Sequence, residues 1–416
     1  MPHTFRTKHT DSIDSSPNRA AYENITAQSF IPQIFYLIPT PINIDNMGFD
    51  EEIRAIEDEI RNTKYNKATS QHIGRLKAKL AKMKDEAVMR AMKSAGGGEG
   101  YAVKKSGDGT IVLVGFPSVG KSTLLNRLTG AESQTGAYAF TTLTVVPGLM
   151  EYKGAKIQIL DIPGLIAGAA MGKGRGKEVI AVVRTADLIV ILGDVFNAVH
   201  VDVLMRELYD SGIRINKEKP DITIKKTTSG GVSLHTVGAS SVNIEEVRAI
   251  LAENKIMNAE VLCRGKDITQ DDIVDAMMGN RMYIPAFIAI NKVDLITPEQ
   301  RKEVEDHMRE KYGVDPIMIS AHAKYNIDTL QDAIYDHLGF VRIYLKPYGH
   351  EADMDEPMIM RKGTKIEDIC KRLHRDFVDQ FRYAKIWGPS VKHDAAKVGL
   401  QHVVADGDIV TIVTKL

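Results

Sequence analysis

Apolar residues recur along this chain in two rhythms, and the change between them marks its parts. From Asp50 the spacing is helical: Ile53, Ile56 and Ile60 share a face of one segment, and Ile73, Leu76, Leu80, Met83 and Ala87 share a face of a second. A helical hairpin is expected. Past Ser94 to Gly100, a flexible linker by composition, short apolar runs alternate with helical patterns: Ile111 to Val114, Ile157 to Leu160, Leu188 to Leu192, Ala286 to Ile290 and Ile317 to Ile319. That alternation predicts an α/β domain over residues 107–338, with a mostly parallel sheet and crossover helices.

Residues from about 205 to 284 interrupt the rhythm. Asp221 to Lys225 and Val232 to Thr236 alternate around Ser229-Gly230-Gly231 as a β-hairpin would, with helical segments after them, so an inserted α+β subdomain is expected. From residue 339 to 416, Val341 to Leu345, Met358 to Met360, a helix near Ile366 to Phe377 and a strand Ile409 to Val413 predict a separate small α+β domain. Residues 1–46, rich in Ser, Asn, Thr and Pro, read as a disordered or non-native extension before Met47, and residues 47–106 as the hairpin with its linker.

At 416 residues the chain calls for roughly two to four domains. No apolar run reaches the roughly 18 residues needed to cross a bilayer, so a soluble, cytoplasmic protein with no membrane partner is expected. The two cysteines, Cys263 and Cys370, are far apart and outside any Cys/His cluster, which argues against a disulfide framework or a zinc site. Overall charge is balanced, 54 basic against 54 acidic, and any electrostatic preference must be local. Residues 64–93 supply it, with nine Lys/Arg against Asp85 and Glu86. That excess fits either a solvated helix face or contact with the phosphates of structured RNA; nothing points to DNA.

Gly115-Phe116-Pro117-Ser118-Val119-Gly120-Lys121-Ser122 follows an apolar strand and precedes a helical stretch beginning at Thr123. This is the phosphate-binding P-loop pattern in its proper setting: glycines let main-chain N–H groups wrap phosphate, and the helix N-terminus adds positive potential. Lys121 should reach the β- and γ-phosphates, and the Ser122 hydroxyl is a hard ligand for Mg²⁺. Asp161-Ile162-Pro163-Gly164, at the end of the strand Ile157 to Leu160, offers a carboxylate to hold magnesium through water and a Gly164 amide to sense the γ-phosphate. Asn291-Lys292-Val293-Asp294 follows the strand Phe287 to Ile290, and a carboxylate there can accept from both N1–H and the 2-amino group of guanine, a pair adenine lacks. Ser320-Ala321, after Ile317 to Ile319, falls where a loop backing guanine O6 belongs. Four such elements in order, each ending a strand, indicate a GTP- and GDP-binding site rather than an ATP-dependent phosphotransferase.

These motifs resemble those of the TRAFAC GTPases, more closely the Obg branch and, within it, the developmentally regulated GTP-binding proteins. Ala139-Phe140-Thr141-Thr142-Leu143-Thr144 resembles that family's first switch, Met171-Gly172-Lys173-Gly174-Arg175-Gly176 its second, and Trp387-Gly388-Pro389-Ser390-Val391-Lys392-His393 a signature of its C-terminal TGS domain. The likeness covers residues 48–416. It implies a ubiquitin-like β-grasp fold for the C-terminal domain, a role in translation with a ribosome or RNA contact, and a regulatory protein partner. Thr142, with Thr141 as the alternative, is expected as the second protein ligand to magnesium. Leu165 stands where Ras-like proteins carry a water-orienting glutamine, so slow hydrolysis of GTP to GDP and phosphate is expected, with Lys121, Thr142 and Gly164 as the catalytic set. Arg175 is either an arginine finger in cis or an exposed switch residue that touches a partner. The resemblance allows potassium as a second cation, although Ser118 occupies the position where potassium-using relatives carry asparagine. A nucleotide-gated RNA-binding scaffold is the rival reading; it differs in whether blocking hydrolysis, with binding intact, abolishes function.

Overall fold

The computed structural model describes residues 47–94, 106–129, 146–162, 176–197, 199–238 and 241–415. The chain separates into a unit of residues 1–48 and one of residues 49–416, and the architecture below is that of the second. Helices α1 (Met47–Asn62) and α2 (Ser70–Ser94) form a hairpin closed by Ile53, Ile56, Leu76 and Met83. Next come β1 (Gly109–Val114), α3 (Lys121–Thr129), β2 (Val146–Tyr152), β3 (Ala155–Asp161), α4 (Gly176–Val183), β4 (Leu188–Asp194) and α5 (Val199–Asp210). An excursion follows through β5 (Ile213–Ile215), β6 (Asp221–Lys226), β7 (Val232–Val237), α6 (Ile244–Glu253), β8 (Ala259–Arg264), α7 (Gln270–Met278) and β9 (Met282–Ile284). The chain then returns with β10 (Ala286–Asn291), α8 (Pro298–Tyr312), β11 (Ile317–Met318) and α9 (Ile327–His337).

The central sheet has the order β11-β10-β4-β1-β3-β2, parallel except for the antiparallel edge strand β2. Both faces are covered, which is why its strands read as unbroken apolar runs. Successive residues of β1 feed opposite cores: Val112 and Val114 pack under α4 and α5 with Val179, Ile180 and Leu204, while Ile111 and Leu113 pack with Leu124, Leu125 and Ile334 of α3 and α9. Strand order reverses at β1, between β3 and β4, so the loop after β1 opens at the crevice where open α/β sheets bind ligands.

The excursion differs from the expected β-hairpin. Strands β6 and β7 do not pair with each other; β8 lies between them, antiparallel to β6 and parallel to β7. A two-stranded ribbon would leave the apolar faces of α6 and α7 uncovered and be marginal alone. The third strand completes a sheet whose Val232, Val261 and Cys263 pack on Val247, Ile250, Leu251 and Ile273. Leu204, Leu208, Ile213 and Ile284 belong to the central core, so the insert's own elements run from Asp221 to Met278 rather than from about 205 to 284. Helix α7 begins in a Thr269–Asp272 capping box and ends at Gly279 with φ 67°.

The N-terminal hairpin is not a free basic arm. Helix α2 lies against α6 and α7 with Ala78 fully buried, and at Gly74 a Cβ would stand 3.2 Å from Ile250 Cγ1, close enough that a larger residue would push the helices apart. Lys77 pairs with Asp271 at 2.9 Å, Lys79 with Glu52 at 2.7 Å, and Lys84 with Glu57 at 2.6 Å and Asp210 at 2.7 Å. Beneath them Asp275 is held by Arg214 at 2.6 Å and Arg281 at 3.1 Å, all three nearly inaccessible to solvent.

The C-terminal domain contains β12 (Phe340–Leu345), β13 (Met358–Arg361), α10 (Ile366–Leu373), β14 (Phe381–Trp387), β15 (Ala396–Val398) and β16 (Asp408–Thr414), in the sheet order β13-β12-β16-β14-β15. Its inner face, with Val341, Ile343, Ala384, Ile386 and Val410, packs on Ile366, Ile369 and Cys370 of α10. The domain is less separate than its sequence suggests. Phe340 and Ile359 project from the other face into the central core, and Arg361 and Arg372 reach Asp187 at 3.5 Å and Asp108 at 3.2 Å. Among the described residues no helix is long and apolar enough to cross a membrane.

Candidate nucleotide site at the strand ends

The loop between β1 and α3 is shaped by residues that take the left-handed backbone region. Ser118 has φ 64° and Gly120 φ 96°. At Gly120 a Cβ would fall 2.3 Å from Asn291 Nδ2, so glycine is required for the loop to close against β10. Lys121, 7% exposed, donates from Nζ to the carbonyls of Gly115 at 3.0 Å and Phe116 at 3.1 Å. An ammonium has three donors, so one remains for a ligand. Burial lowers its pKa from the ordinary lysine value, and the nearby Asp161 carboxylate opposes that shift. Pro117, Ser118 and Thr123 are exposed around the loop, whereas Val119 is buried beneath it.

The Ser122 hydroxyl donates to Asp161 Oδ2 at 2.7 Å. Asp161 is 6% exposed, and its Oδ1 is buried with no hydrogen-bond partner among the described residues. A buried carboxylate oxygen left unpaired is costly unless a ligand completes it. With a hydroxyl beside it and an ammonium behind it, this hard-oxygen pair suits a magnesium ion and its water shell.

Asn291 ties three of the sequence motifs together. Its Nδ2 donates to Val119 O at 2.8 Å and its Oδ1 accepts from the Ala321 amide at 2.9 Å. Lys292 sits at φ 67° and pairs with Asp194 Oδ2 at 3.0 Å. Val293 is buried and its N–H donates to Ile319 O at 3.3 Å, which leaves Asp294 exposed at the rim with no partner among the described residues. Ser320 is fully buried, its Oγ accepting from Ala323 N at 2.9 Å, and Arg127 Nε donates to Ala321 O at 2.9 Å. The loop is therefore rigid where it would meet a base, and Asp294 is free to accept.

The structure thus brings together Gly115 to Thr123, Asp161, Ile162, Asn291 to Asp294, Ser320 and Ala321. Thr141, Thr142, Pro163, Gly164, Leu165 and Arg175 lie outside the described residues, as do residues 1–46 and the glycine-rich linker from Ala95 to Gly100. Two neighbours escaped the sequence reading. Asp194 ends β4 as Asp161 ends β3, and an acid closing an apolar strand was the available signal. His200 stacks on Phe116 with ring centroids 4.1 Å apart, a contact that no local pattern announces.

A family model described as 50S ribosome-binding GTPase matches residues 110–226, one for the C-terminal region of the MMR_HSR1 domain matches 229–340, and the TGS domain model matches 341–414. A GTP-binding protein of Methanocaldococcus jannaschii is 53% identical over 372 residues, covering 89% of this chain and 94% of that one. The developmentally-regulated GTP-binding protein 1 homolog of Dictyostelium discoideum is 47% identical over 377 residues, covering 89% of this chain and 100% of that one. Among solved structures, the YchF GTPase of Schizosaccharomyces pombe aligns with a TM-score of 0.43 at 16% identity, over 74% of this chain and 98% of that one.

Proposed function

The chain belongs to the developmentally regulated GTP-binding protein family, and from that premise we propose that it hydrolyses GTP to GDP and phosphate as a slow conformational switch, with magnesium, on the ribosome or a structured RNA. Binding of guanine nucleotide is common to the family; the cycle of hydrolysis and its place of action are the proposal. The observation that carries it is the buried Asp161 Oδ1, unpaired among the described residues, beside Ser122 Oγ and near the Lys121 ammonium.

In this reading Lys121 and the amides of Gly115 to Ser122 would hold the phosphates, and Ser122 and Asp161, now hydrogen-bonded to each other, are the residues that would hold the cation. Bound magnesium neutralises charge that develops on the phosphoryl oxygens. Thr142 and the Gly164 amide are proposed, by family resemblance, to close over the γ-phosphate only in the triphosphate state. Leu165 cannot orient a water, so basal turnover rests on positioning and charge neutralisation until a ribosome or a protein partner completes the site. Support for the ribosome comes from the description of the matched family model. Ser118 already occupies a left-handed conformation in which asparagine is also tolerated, so the backbone there is compatible with a potassium site even though the side chain is short.

Asp294 is proposed to read guanine, and the test is specific. Asp294→Asn should shift preference from GTP toward XTP, because an amide can donate to the 2-oxo group; a variant that still selects GTP would overturn the assignment. Turnover measured with and without ribosomes, in potassium and in sodium, should rise with ribosomes. A rate unaffected by ribosomes, with binding intact, would remove them as the place of action.

A further inference from the structure

The outer face of the C-terminal sheet is divided in two. One end, with Phe340 and Ile359, docks on the central core; the other end faces away from that contact. Strand register arranges the open end in rows. Tyr344, Ile409 and Trp387 lie side by side across β12, β16 and β14. The next row holds Lys346, Thr411, Lys385 and Lys397: Lys385 is opposite both Thr411 and Lys397, and Lys346 continues the β12 register, its amide donating to Val410 O at 2.9 Å and its carbonyl accepting from Thr411 Oγ1 at 2.7 Å. Beyond it, Tyr383 pairs with Val413.

No carboxylate stands in these rows. Two lysines directly opposite each other on neighbouring strands repel, and Lys346, Lys385 and Lys397 have no acidic partner among the described residues. Instead the Lys346 ammonium sits 5.2 Å from the Trp387 ring centroid and that of Lys397 4.9 Å from the Tyr383 ring centroid. Cations resting on aromatic faces, for want of an anion, mark a surface that a polyanion with flat rings would relieve. Neighbouring strands are about 4.8 Å apart and residues rise about 3.4 Å, which places the Tyr344 and Trp387 backbones about 10 Å apart and those of Tyr383 and Trp387 about 14 Å apart, a span for two or three nucleotides.

We infer that this open end is a platform for single-stranded RNA, with bases stacking on Trp387, Tyr383 and Tyr344 and phosphates lying along the lysine row. A duplex would present its phosphates but hide its base faces, and an acidic peptide would use the lysines but leave the aromatics idle. The choice of RNA over DNA rests on the ribosome reading above.

Trp387 is the single tryptophan of the chain, so its fluorescence reports on this face alone. Titrating the full-length protein with a single-stranded RNA octamer should quench that emission, and Trp387→Ala should weaken binding of a labelled octamer by about 5- to 100-fold, with Trp387→Phe restoring most of it. The pair Lys385→Gln and Lys397→Gln should reduce the slope of log affinity against log salt by about 1.4, at about 0.7 per phosphate on a single strand. If Trp387→Ala fails to fold, the lysine pair and the wild-type quenching still decide. Octamer binding without quenching, an unchanged slope in the lysine pair, or equal competition by duplex RNA or polyglutamate would overturn the platform. Ribosome sedimentation of the same proteins separates the two readings: wild type that binds the octamer but never ribosomes leaves the platform standing and the ribosome reading lost, whereas ribosome binding without octamer binding does the reverse.

Discussion

The N-terminal hairpin and the C-terminal sheet both present lysines, but Lys77, Lys79 and Lys84 of the hairpin are met by acids, whereas Lys346, Lys385 and Lys397 of the sheet face have no acidic partner among the described residues. On α2, Lys77, Lys79 and Lys84 each reach a carboxylate within 3 Å, from α1, α5 or α7. On the open sheet face, Lys346 and Lys397 lie over aromatic rings and Lys385 faces Lys397. The first arrangement fastens one part of the protein to another; the second leaves charge for a ligand. Net charge of a segment does not tell them apart. Residues 64–93 look strongly basic alone, yet residues 47–94 as a whole carry eleven basic and eight acidic side chains, and residues 340–416 carry thirteen and eleven.

The hardest test of the fastening role lies under the hairpin. Asp275→Ala leaves Arg214 and Arg281, both about 5% exposed, without their shared carboxylate. Breaking a buried pair from one side costs about 3–5 kcal/mol, so the urea midpoint should fall sharply while GTP affinity of the folded fraction holds. A midpoint within the error of wild type would show that this network holds nothing together.

A smaller effect should separate the two halves of the C-terminal sheet face. Arg361 lies 4.7 Å over the Phe340 ring and 3.5 Å from Asp187, in the docked half. Arg361→Ala should cost on the order of 1 kcal/mol in unfolding and leave RNA octamer affinity unchanged. Lost octamer binding with unchanged stability would erase the division between docked and open halves.

The smallest expected effect sharpens the contrast most. Lys77→Gln with Lys79→Gln removes two charges, as the sheet pair does, but from half-exposed ion pairs worth about 0–1 kcal/mol each. The salt slope of octamer binding should move by less than about 0.5, against about 1.4 for the sheet lysines. Equal slopes would return the RNA contact to the hairpin.

The strand-end motifs were legible because each is a short run of consecutive residues placed by one strand end. Gly115 to Ser122, Asp161 and Asn291 to Asp294 needed only the strand before them to be recognised. The insert was read less well. Strands β6 and β7 have a two-glycine turn and matching alternation, and local pattern made them partners; β8, more than twenty residues later, took the place between them. The acidic partners of Lys84 and Lys77 were not legible for the same reason, since Asp210 and Asp271 lie 126 and 194 residues from them.

By itself, then, the sequence determined guanine-nucleotide binding, five of the six central strands and the hairpin's apolar seam, all of which depend on spacings of a few residues along one element. Only the tertiary structure decided that Asn291 staples the phosphate loop to Ala321, that Asp194 holds Lys292, and that Phe340 and Ile359 join the C-terminal domain to the central core. It alone aligned lysines from β14 and β15 and from the end of β12 into one row. Hydrogen-bond register between strands distant in sequence sets which side chains become neighbours, and Coulomb and desolvation terms depend on those neighbours rather than on order along the chain.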